Sequence, residues 1–109
     1  MTGTGLSELA ISIHEASKAK GWWSEDIPAA VIHMLIVTEI AEATECVRKS
    51  EPDYYEADGK PEGESVEIID ALIRILDYCG RKRWDVDELM KKKLAYNKTR
   101  SQRHGGKSF

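Results

Sequence analysis

The chain has 109 residues with 19 acidic and 16 basic side chains, which give a formal net charge of −3. Its length suits one domain, and its 41% hydrophobic content excludes an intrinsically disordered chain. The charge is divided unevenly, because residues 90–109 carry seven bases and no acids, which leaves nine bases and all 19 acids in residues 1–89. A functional interpretation has to explain this acidic body and basic C-terminal segment.

The two cysteines, Cys46 and Cys79, exclude a disulfide scaffold and, without a CxxC pair, a zinc finger. We expect both to be reduced thiols, which is typical of a cytoplasmic protein. The N-terminal sequence lacks the basic and apolar regions of a signal peptide. The longest mainly apolar run, residues 29–37, is short of the roughly 20 residues of a membrane span, so we expect no membrane partner.

Two helices are predicted in the first half of the chain. Residues 7–20 have a helical apolar stripe, with Ser7 as the N-cap. Residues 28–49 form the second predicted helix, with Asp26 as its cap and Pro28 in its first turn. The first half of this helix is apolar nearly all round, which favours a bundle centre or an oligomer interface.

Two further helices follow a polar segment. Residues 50–64 hold two prolines, two glycines and many acids, so we predict a loop there and no strand. The third helix is predicted over residues 65–82, with Gly80 positioned to shorten it. The fourth starts at a capping box of Asp85 and Glu88 and runs to about residue 100. The prediction is a single all-α domain, residues 1–109, forming an oligomeric four-helix bundle with an irregular basic tail at 101–109.

Four acids lie where the helices are otherwise apolar. Glu39 and Glu42 are three residues apart, so both point to the same side of the second helix, and Glu67 and Asp70 repeat this spacing in the third. Clustered carboxylates repel one another and are costly to desolvate, and a cation removes both penalties. Because every donor is an oxygen, the pattern favours Mg²⁺, or Mn²⁺, over zinc or copper.

Two other interpretations of these acids compete with a cation site. A solvated helix face explains one acidic pair, since surface acids are common. A di-iron bundle needs an ExxH pair on each of two helices, and no histidine here has a glutamate three residues before it. The flanking apolar residues favour a partly buried cation site, and they are Leu35, Ile36, Ile40, Ile68, Ile69 and Ile73.

The acidic pairs and the C-terminal sequence together resemble the MazG-type all-α nucleoside triphosphate pyrophosphohydrolases. That family has an EExxE motif, a gap and an ExxD motif. Here the motifs read TEIAE at 38–42 and EIID at 67–70, with 24 residues between them. The ending NKTR…RHGGK at 97–107 is similar to a MazG-like subgroup, and the resemblance covers most of the chain from Pro28 onward.

The resemblance implies hydrolysis of an NTP or dNTP to a nucleoside monophosphate and pyrophosphate. Glu39, Glu42, Glu67 and Asp70 would act in catalysis by holding one or more Mg²⁺ ions. The apolar start of the second helix adds the expectation of a homodimer or homotetramer.

Basic residues near the C-terminus are the expected substrate-binding groups. Lys93, Asn97 and Arg100 share one face of the fourth helix, and Lys98 lies beside it, so this face can grip a triphosphate or be merely solvated. Arg103 would fold over the phosphates from the glycine-containing tail. Arg74, one turn after Asp70, has two open roles, a phosphate or ligand contact and an intrahelical ion pair.

The motif departs from the family at one position, since Thr38 stands where the family has its first glutamate. A catalytically weak, nucleotide-binding regulatory module of the same fold is therefore the alternative function. Nucleic-acid binding through the basic tail is a third hypothesis, and the acidic body argues against it. For Trp22 and Trp23, packing at a helix corner is the favoured role and nucleobase stacking is the alternative. For His14, packing is favoured over a role as a ligand.

Overall fold

In a computed structural model, residues 5–100 are described, and they form four helices and one β-hairpin. The helix prediction is confirmed within two residues at each end. The elements are α1 (Leu6–Ala19), α2 (Ala29–Arg48), β1 (Tyr55–Ala57), β2 (Lys60–Glu62), α3 (Glu64–Lys82) and α4 (Val86–Lys98).

The β-hairpin contradicts the strand-free prediction for residues 50–64. Strand β1 pairs with β2 in antiparallel register, with Tyr55 opposite Glu62. Asp58 and Gly59 form the two-residue turn with φ of 55° and 78°, the left-handed conformations that an Asp-Gly hairpin turn uses. Strands of three residues are too short to show an alternating pattern, so only the Asp-Gly pair signalled them.

Helix α3 is the central element, because both α1 and α2 pack along it, whereas α4 packs mainly against α1. The α1–α3 crossing is closest at Gly80, where an added Cβ would collide with the carbonyl oxygen of Ala10 and the Cβ of His14. The prediction that Gly80 shortens the helix is wrong, since α3 continues to Lys82. The glycine instead permits close packing of two helices.

A buried polar network fixes this crossing. His14 Nδ1 lies 2.8 Å from Asp77 Oδ1, and the Ser17 hydroxyl donates to the same oxygen at 2.9 Å. The Trp23 indole, from the connection after α1, donates to both Asp77 oxygens at 3.1 and 3.2 Å. Since buried polar groups are costly without partners, these bonds specify how α1 sits on α3. Trp23 therefore has the packing role expected of it.

The starts of α1 and α4 cap each other. Asp87 accepts hydrogen bonds from the backbone N–H groups of Leu6 at 3.1 Å and Ser7 at 3.3 Å. In return, the Ser7 hydroxyl accepts from the Asp87 N–H at 3.1 Å. The prediction that Ser7 caps its own helix is wrong, because α1 receives its cap from a residue 80 positions away.

The other predicted caps had different outcomes. Asp85 caps α4 as expected, accepting from the Glu88 N–H at 3.1 Å. Asp26 does not cap α2, which has Pro28 at its N-cap position and no side-chain cap. Asp26 instead pairs with Arg81 at 3.0 Å.

Much apolar surface is exposed in the single chain. The outward side of α2 carries Val31, Met34, Val37 and Ile40, each 44–59% exposed. The radius of gyration is 16.6 Å, whereas about 13 Å is typical of 100 compactly folded residues. Within residues 5–100, no helix is both long and apolar enough to cross a membrane. The fold is thus an open helical layer with one apolar face of α2 uncovered.

We expect Gly80→Ala to destabilise the fold by about 1–3 kcal/mol, the range typical of overpacking, because the new methyl group forces α1 away from α3. Urea unfolding followed by circular dichroism measures this loss. Lys82→Ala, at an exposed position of the same helix, is the control and should stay within about 0.5 kcal/mol. Equal stability of Gly80→Ala and the parent would contradict the close crossing.

Candidate metal centre

Three of the four predicted ligands converge between α2 and α3. Glu39 from α2 and Glu67 and Asp70 from α3 each offer one carboxylate oxygen, and these oxygens lie within 4.8 Å of one another. The three-residue spacing puts Glu67 and Asp70 on one face of α3, and the packing of α2 along that face adds Glu39. These three residues, called the carboxylate cluster below, are all half-buried.

Glu42 lies outside the cluster but close to it. Its side chain is exposed, and its negative charge helps to raise the pKa of Glu67. The larger cause of that raised pKa is partial burial of the Glu67 carboxyl group, and Asp70 and Glu39 add further repulsion. The cluster therefore concentrates negative charge that no hydrogen bond within the described residues relieves at Glu67.

The oxygen separations in the cluster can be compared with those of a hard-cation site. In an octahedral Mg²⁺ site with bonds of about 2.1 Å, ligand oxygens lie about 3 Å apart when adjacent and about 4.2 Å apart when opposite. The observed limit of 4.8 Å is within a small side-chain adjustment of this geometry, because Glu and Asp rotamers can move their oxygens by an ångström. An octahedral Mg²⁺ ion would bind all three carboxylates after such an adjustment.

The cluster's nearest thiol is held in its protonated form. Cys46 is a free, half-buried cysteine on α2. Burial and the charges of Glu51, Glu67 and Glu62 raise the pKa of its thiol above the usual value. The thiolate is the form that binds metals, and Cys46 is not among the residues whose ligand atoms converge in the cluster. The donor set stays all-oxygen, which favours Mg²⁺ or Mn²⁺.

The hairpin adds acidic residues to this region that the sequence interpretation missed. Glu62 on β2 contributes to the raised pKa of both Glu67 and Cys46, and Glu51 accepts a hydrogen bond from the Tyr55 hydroxyl at 3.1 Å. In the sequence, the Asp-Gly pair is the feature that indicates this hairpin. The hairpin folds Glu62 back beside the start of α3.

Arg74 joins α3 to α2 at the edge of the cluster. Its Nε atom donates to Glu39 Oε2 at 3.2 Å. The intrahelical pairing left open for Arg74 is therefore not the one formed. This contact orients one oxygen of Glu39 towards Arg74 and places a guanidinium group at the edge of the cluster.

The predicted substrate-binding residues of α4 do not pack against the carboxylate cluster within one chain. Their helix packs mainly against α1, with no comparable contact with α2 or α3. Lys93 and Arg100 lie over the ring of Tyr96, at 5.1 and 5.8 Å from its centre. All four residues of this group are exposed, and they are Lys93, Asn97, Lys98 and Arg100.

Arg103 and the RHGGK sequence lie outside the described residues, so their predicted contact with phosphate stays a prediction.

Comparison with models of known families, with curated proteins and with solved structures finds no match for this chain. The site must therefore be interpreted from its own geometry and charge.

The raised pKa of Glu67 predicts a stability effect with a definite sign. An acid whose pKa is higher in the folded state loses stability as pH rises from its unfolded pKa through its folded one. Glu67→Gln should therefore be more stable than the parent at pH 7 in EDTA, with the difference shrinking towards pH 4. Urea unfolding at both pH values measures it, and Glu45→Gln, exposed on α2, is the control.

Addition of Mg²⁺ should reverse this order. The cation stabilises a folded parent that binds it, by an amount that grows with the metal concentration, and Glu67→Gln has lost one of the three ligands. A parent protein whose stability is the same in EDTA and in millimolar Mg²⁺ would count against a cation site.

Proposed function

We propose that this protein is a Mg²⁺-dependent nucleoside triphosphate pyrophosphohydrolase. The observation that carries the proposal is the carboxylate cluster of Glu39, Glu67 and Asp70, whose oxygens lie within 4.8 Å of one another. The TEIAE and EIID motifs, through which the chain resembles MazG-type enzymes, contain the same three residues. Geometry and resemblance thus support one site by separate routes.

In this proposal, Glu39, Glu67 and Asp70 hold the cation. Bound Mg²⁺ supplies charge for the phosphoryl oxygens and lowers the pKa of an attacking water. Arg74, which contacts Glu39, is placed to exchange that carboxylate for a phosphate oxygen, and a guanidinium can bind phosphate in a bidentate manner.

The general base is assigned to Glu42 and not to the residue at position 38. The Thr38 hydroxyl donates to the carbonyl oxygen of Met34 at 2.8 Å, so it is engaged with its own helix. Glu42 is the exposed carboxylate whose charge reaches Glu67. It is therefore the acid free to accept a proton from water near the cluster.

The reaction releases a nucleoside monophosphate and pyrophosphate, and we place it in the cytoplasm, where the two free cysteines stay reduced. The alternative is a regulatory module that binds nucleotides and turns them over poorly. The threonine at position 38, where the family has glutamate, is the observation that favours it.

We also propose that the protein is a homodimer or a dimer of dimers. The outward face of α2 bears only apolar or small residues from Ala30 to Ile40, apart from Thr38 and His33, and its large members are about half exposed. Contiguous apolar surface of this kind is typical of interfaces. A second copy presents the same face, so a twofold arrangement that packs the two α2 faces together covers both.

Asp70→Asn should lower pyrophosphate release at least about 100-fold, because weakening one ligand of a catalytic cation removes about 3 kcal/mol of stabilisation from the transition state. The assay is a panel of NTPs and dNTPs with Mg²⁺. Glu45→Gln, an exposed acid of α2 paired only with Arg48, is the matched control and should keep parental activity.

Hydrolysis of none of these nucleotides, together with unchanged Mg²⁺ binding in Asp70→Asn, would refute the enzyme proposal. Calorimetry then decides between the remaining functions. Tight nucleotide binding without turnover identifies the regulatory module, and turnover at ordinary enzyme rates excludes it.

Met34→Glu should raise the dissociation constant of the dimer at least about tenfold, equivalent to about 1.4 kcal/mol, because it puts a charge into the apolar face of α2. Light scattering at micromolar concentration measures the mass, which should fall towards the 12.3 kDa of one chain. Lys49→Glu, exposed beyond the end of α2, is the control. A parent protein that is itself monomeric would contradict the interface.

A further inference from the structure

A second candidate site lies at the α1–α3 crossing, among residues other than those of the carboxylate cluster. A cavity of about 260 Å³ opens between the second half of α1 and the end of α3. Three basic side chains and one acidic side chain line it, so its charge is opposite to that of the cluster. The lining includes His14, Glu15, Lys18, Gly80, Arg81 and Arg83.

His14, a residue of the lining, has one ring nitrogen with no hydrogen-bond partner among residues 5–100. The residue is only 7% exposed, and its Nδ1 atom contacts Asp77 at 2.8 Å. A carboxylate only accepts hydrogen bonds, so Nδ1 carries the proton of this contact. No residue between 5 and 100 bonds to Nε2, and no fully buried side-chain nitrogen or oxygen in that range lacks a partner. Nε2 therefore keeps some contact with solvent, and His14 is among the residues that line the cavity.

Asp77 holds the imidazole in place and compensates a positive charge on it. Its carboxylate also accepts from Ser17 and Trp23, so the ring cannot turn without breaking a buried network. When His14 carries both protons, the His14–Asp77 pair is neutral and Nε2–H is a second donor that no residue from 5 to 100 uses. This is the arrangement of an anion-binding histidine.

The cations around the cavity are only partly neutralised. Arg83 has no ion pair with any residue from 5 to 100, and Lys18 lies 3.8 Å from Glu15, the one acid of the lining. Arg81 pairs with the fully exposed Asp26 and lies 4.8 Å from the centre of the Trp23 ring. Exposed ion pairs of this kind are weak, so the cavity keeps a net positive charge.

The end of α3 beside the cavity is capped by the backbone that follows it. Arg83 adopts a left-handed conformation with φ of 57°, which is uncommon for arginine. In this conformation its N–H bonds to the Gly80 carbonyl at 3.2 Å, and the Trp84 N–H bonds to the Cys79 carbonyl at 3.1 Å. Two of the terminal carbonyl groups of α3 are thus occupied, which reduces the negative potential that a free helix end would present.

We propose that this cavity is a binding site for a phosphate-type oxyanion, held by Arg83, Lys18 and the Nε2–H of His14. The tetrahedral oxygens of such an anion match the planar donors of a guanidinium and the single donor of an imidazolium. The anion is a free phosphate or pyrophosphate, or the phosphate of a nucleotide. Binding needs no metal ion, so this proposal stands or falls separately from the proposed function.

The test is a titration of the full chain, in EDTA and at fixed ionic strength, with inorganic phosphate, pyrophosphate and AMP as separate ligands. Two-dimensional NMR of the histidine side-chain nitrogens follows each titration. A saturable shift of His14 Nε2 is expected, with little change at His33, which is exposed and packs edge-on against Tyr78. Saturation by AMP but not by the inorganic anions identifies the ligand as a nucleotide, and the reverse result identifies a free anion.

Three variants locate the binding at the cavity, two of them in its lining and one as a control. Arg83→Asn removes the charge and keeps a residue that tolerates the left-handed conformation, so affinity should fall about tenfold. Lys82→Gln removes a neighbouring base that does not line the cavity, and the loss should be less than twofold. Lys18→Gln, also expected to weaken binding about tenfold, decides the matter if circular dichroism shows that Arg83→Asn is misfolded. The absence of a saturable His14 shift, or equal losses in the lining and control variants, overturns the proposal.

Discussion

The close contact of α1 with α3 at Gly80 is the constraint on which the buried polar network and the position of α4 depend. A side chain at that position would separate the two helices, and the hydrogen bond between His14 and Asp77 depends on their closeness. With α1 fixed, its N-terminus holds the start of α4 through Asp87 and Ser7. Helix α2 also packs along α3, and that pairing forms the carboxylate cluster. The absence of a side chain at Gly80 therefore sets the position of α1 and, through it, of α4.

Two aspartates of α3 show how packing decides the chemistry of a residue. Asp70 and Asp77 are seven residues, about 10 Å, apart and lie on nearly the same side of the helix. Asp77 meets donors from α1 and the following connection, so its charge is satisfied by His14, Ser17 and Trp23. Asp70 meets other carboxylates and adds to the repulsion at Glu67. The carboxylate of Asp77 therefore stabilises the packing of α1 on α3, whereas that of Asp70 belongs to the proposed cation site.

The sequence predicted what depends on local periodicity and missed what depends on distant contacts. The helices were placed within two residues because their apolar stripes are long, and the three-residue spacing of Glu67 and Asp70 correctly put them on one face. The cap of α1 was wrong because its acceptor, Asp87, is 80 positions away. Asp77 could not be recognised as buried, since its three donors belong to other elements. The position of α4 relative to the cluster could not be predicted either, because it depends on contacts between distant elements.

The reciprocal capping of α1 and α4 has a consequence for how the protein fluctuates. Because Ser7 and Asp87 each satisfy the other's helix end, fraying of one helix start leaves exposed backbone groups on the other. The first turns of these helices, far apart in the chain, should therefore open together and exchange their amide hydrogens at a common rate, as one cooperative unit. Trimming the N-terminus past Ser7 would loosen the helix that bears the basic residues, although the two segments are separated by most of the sequence.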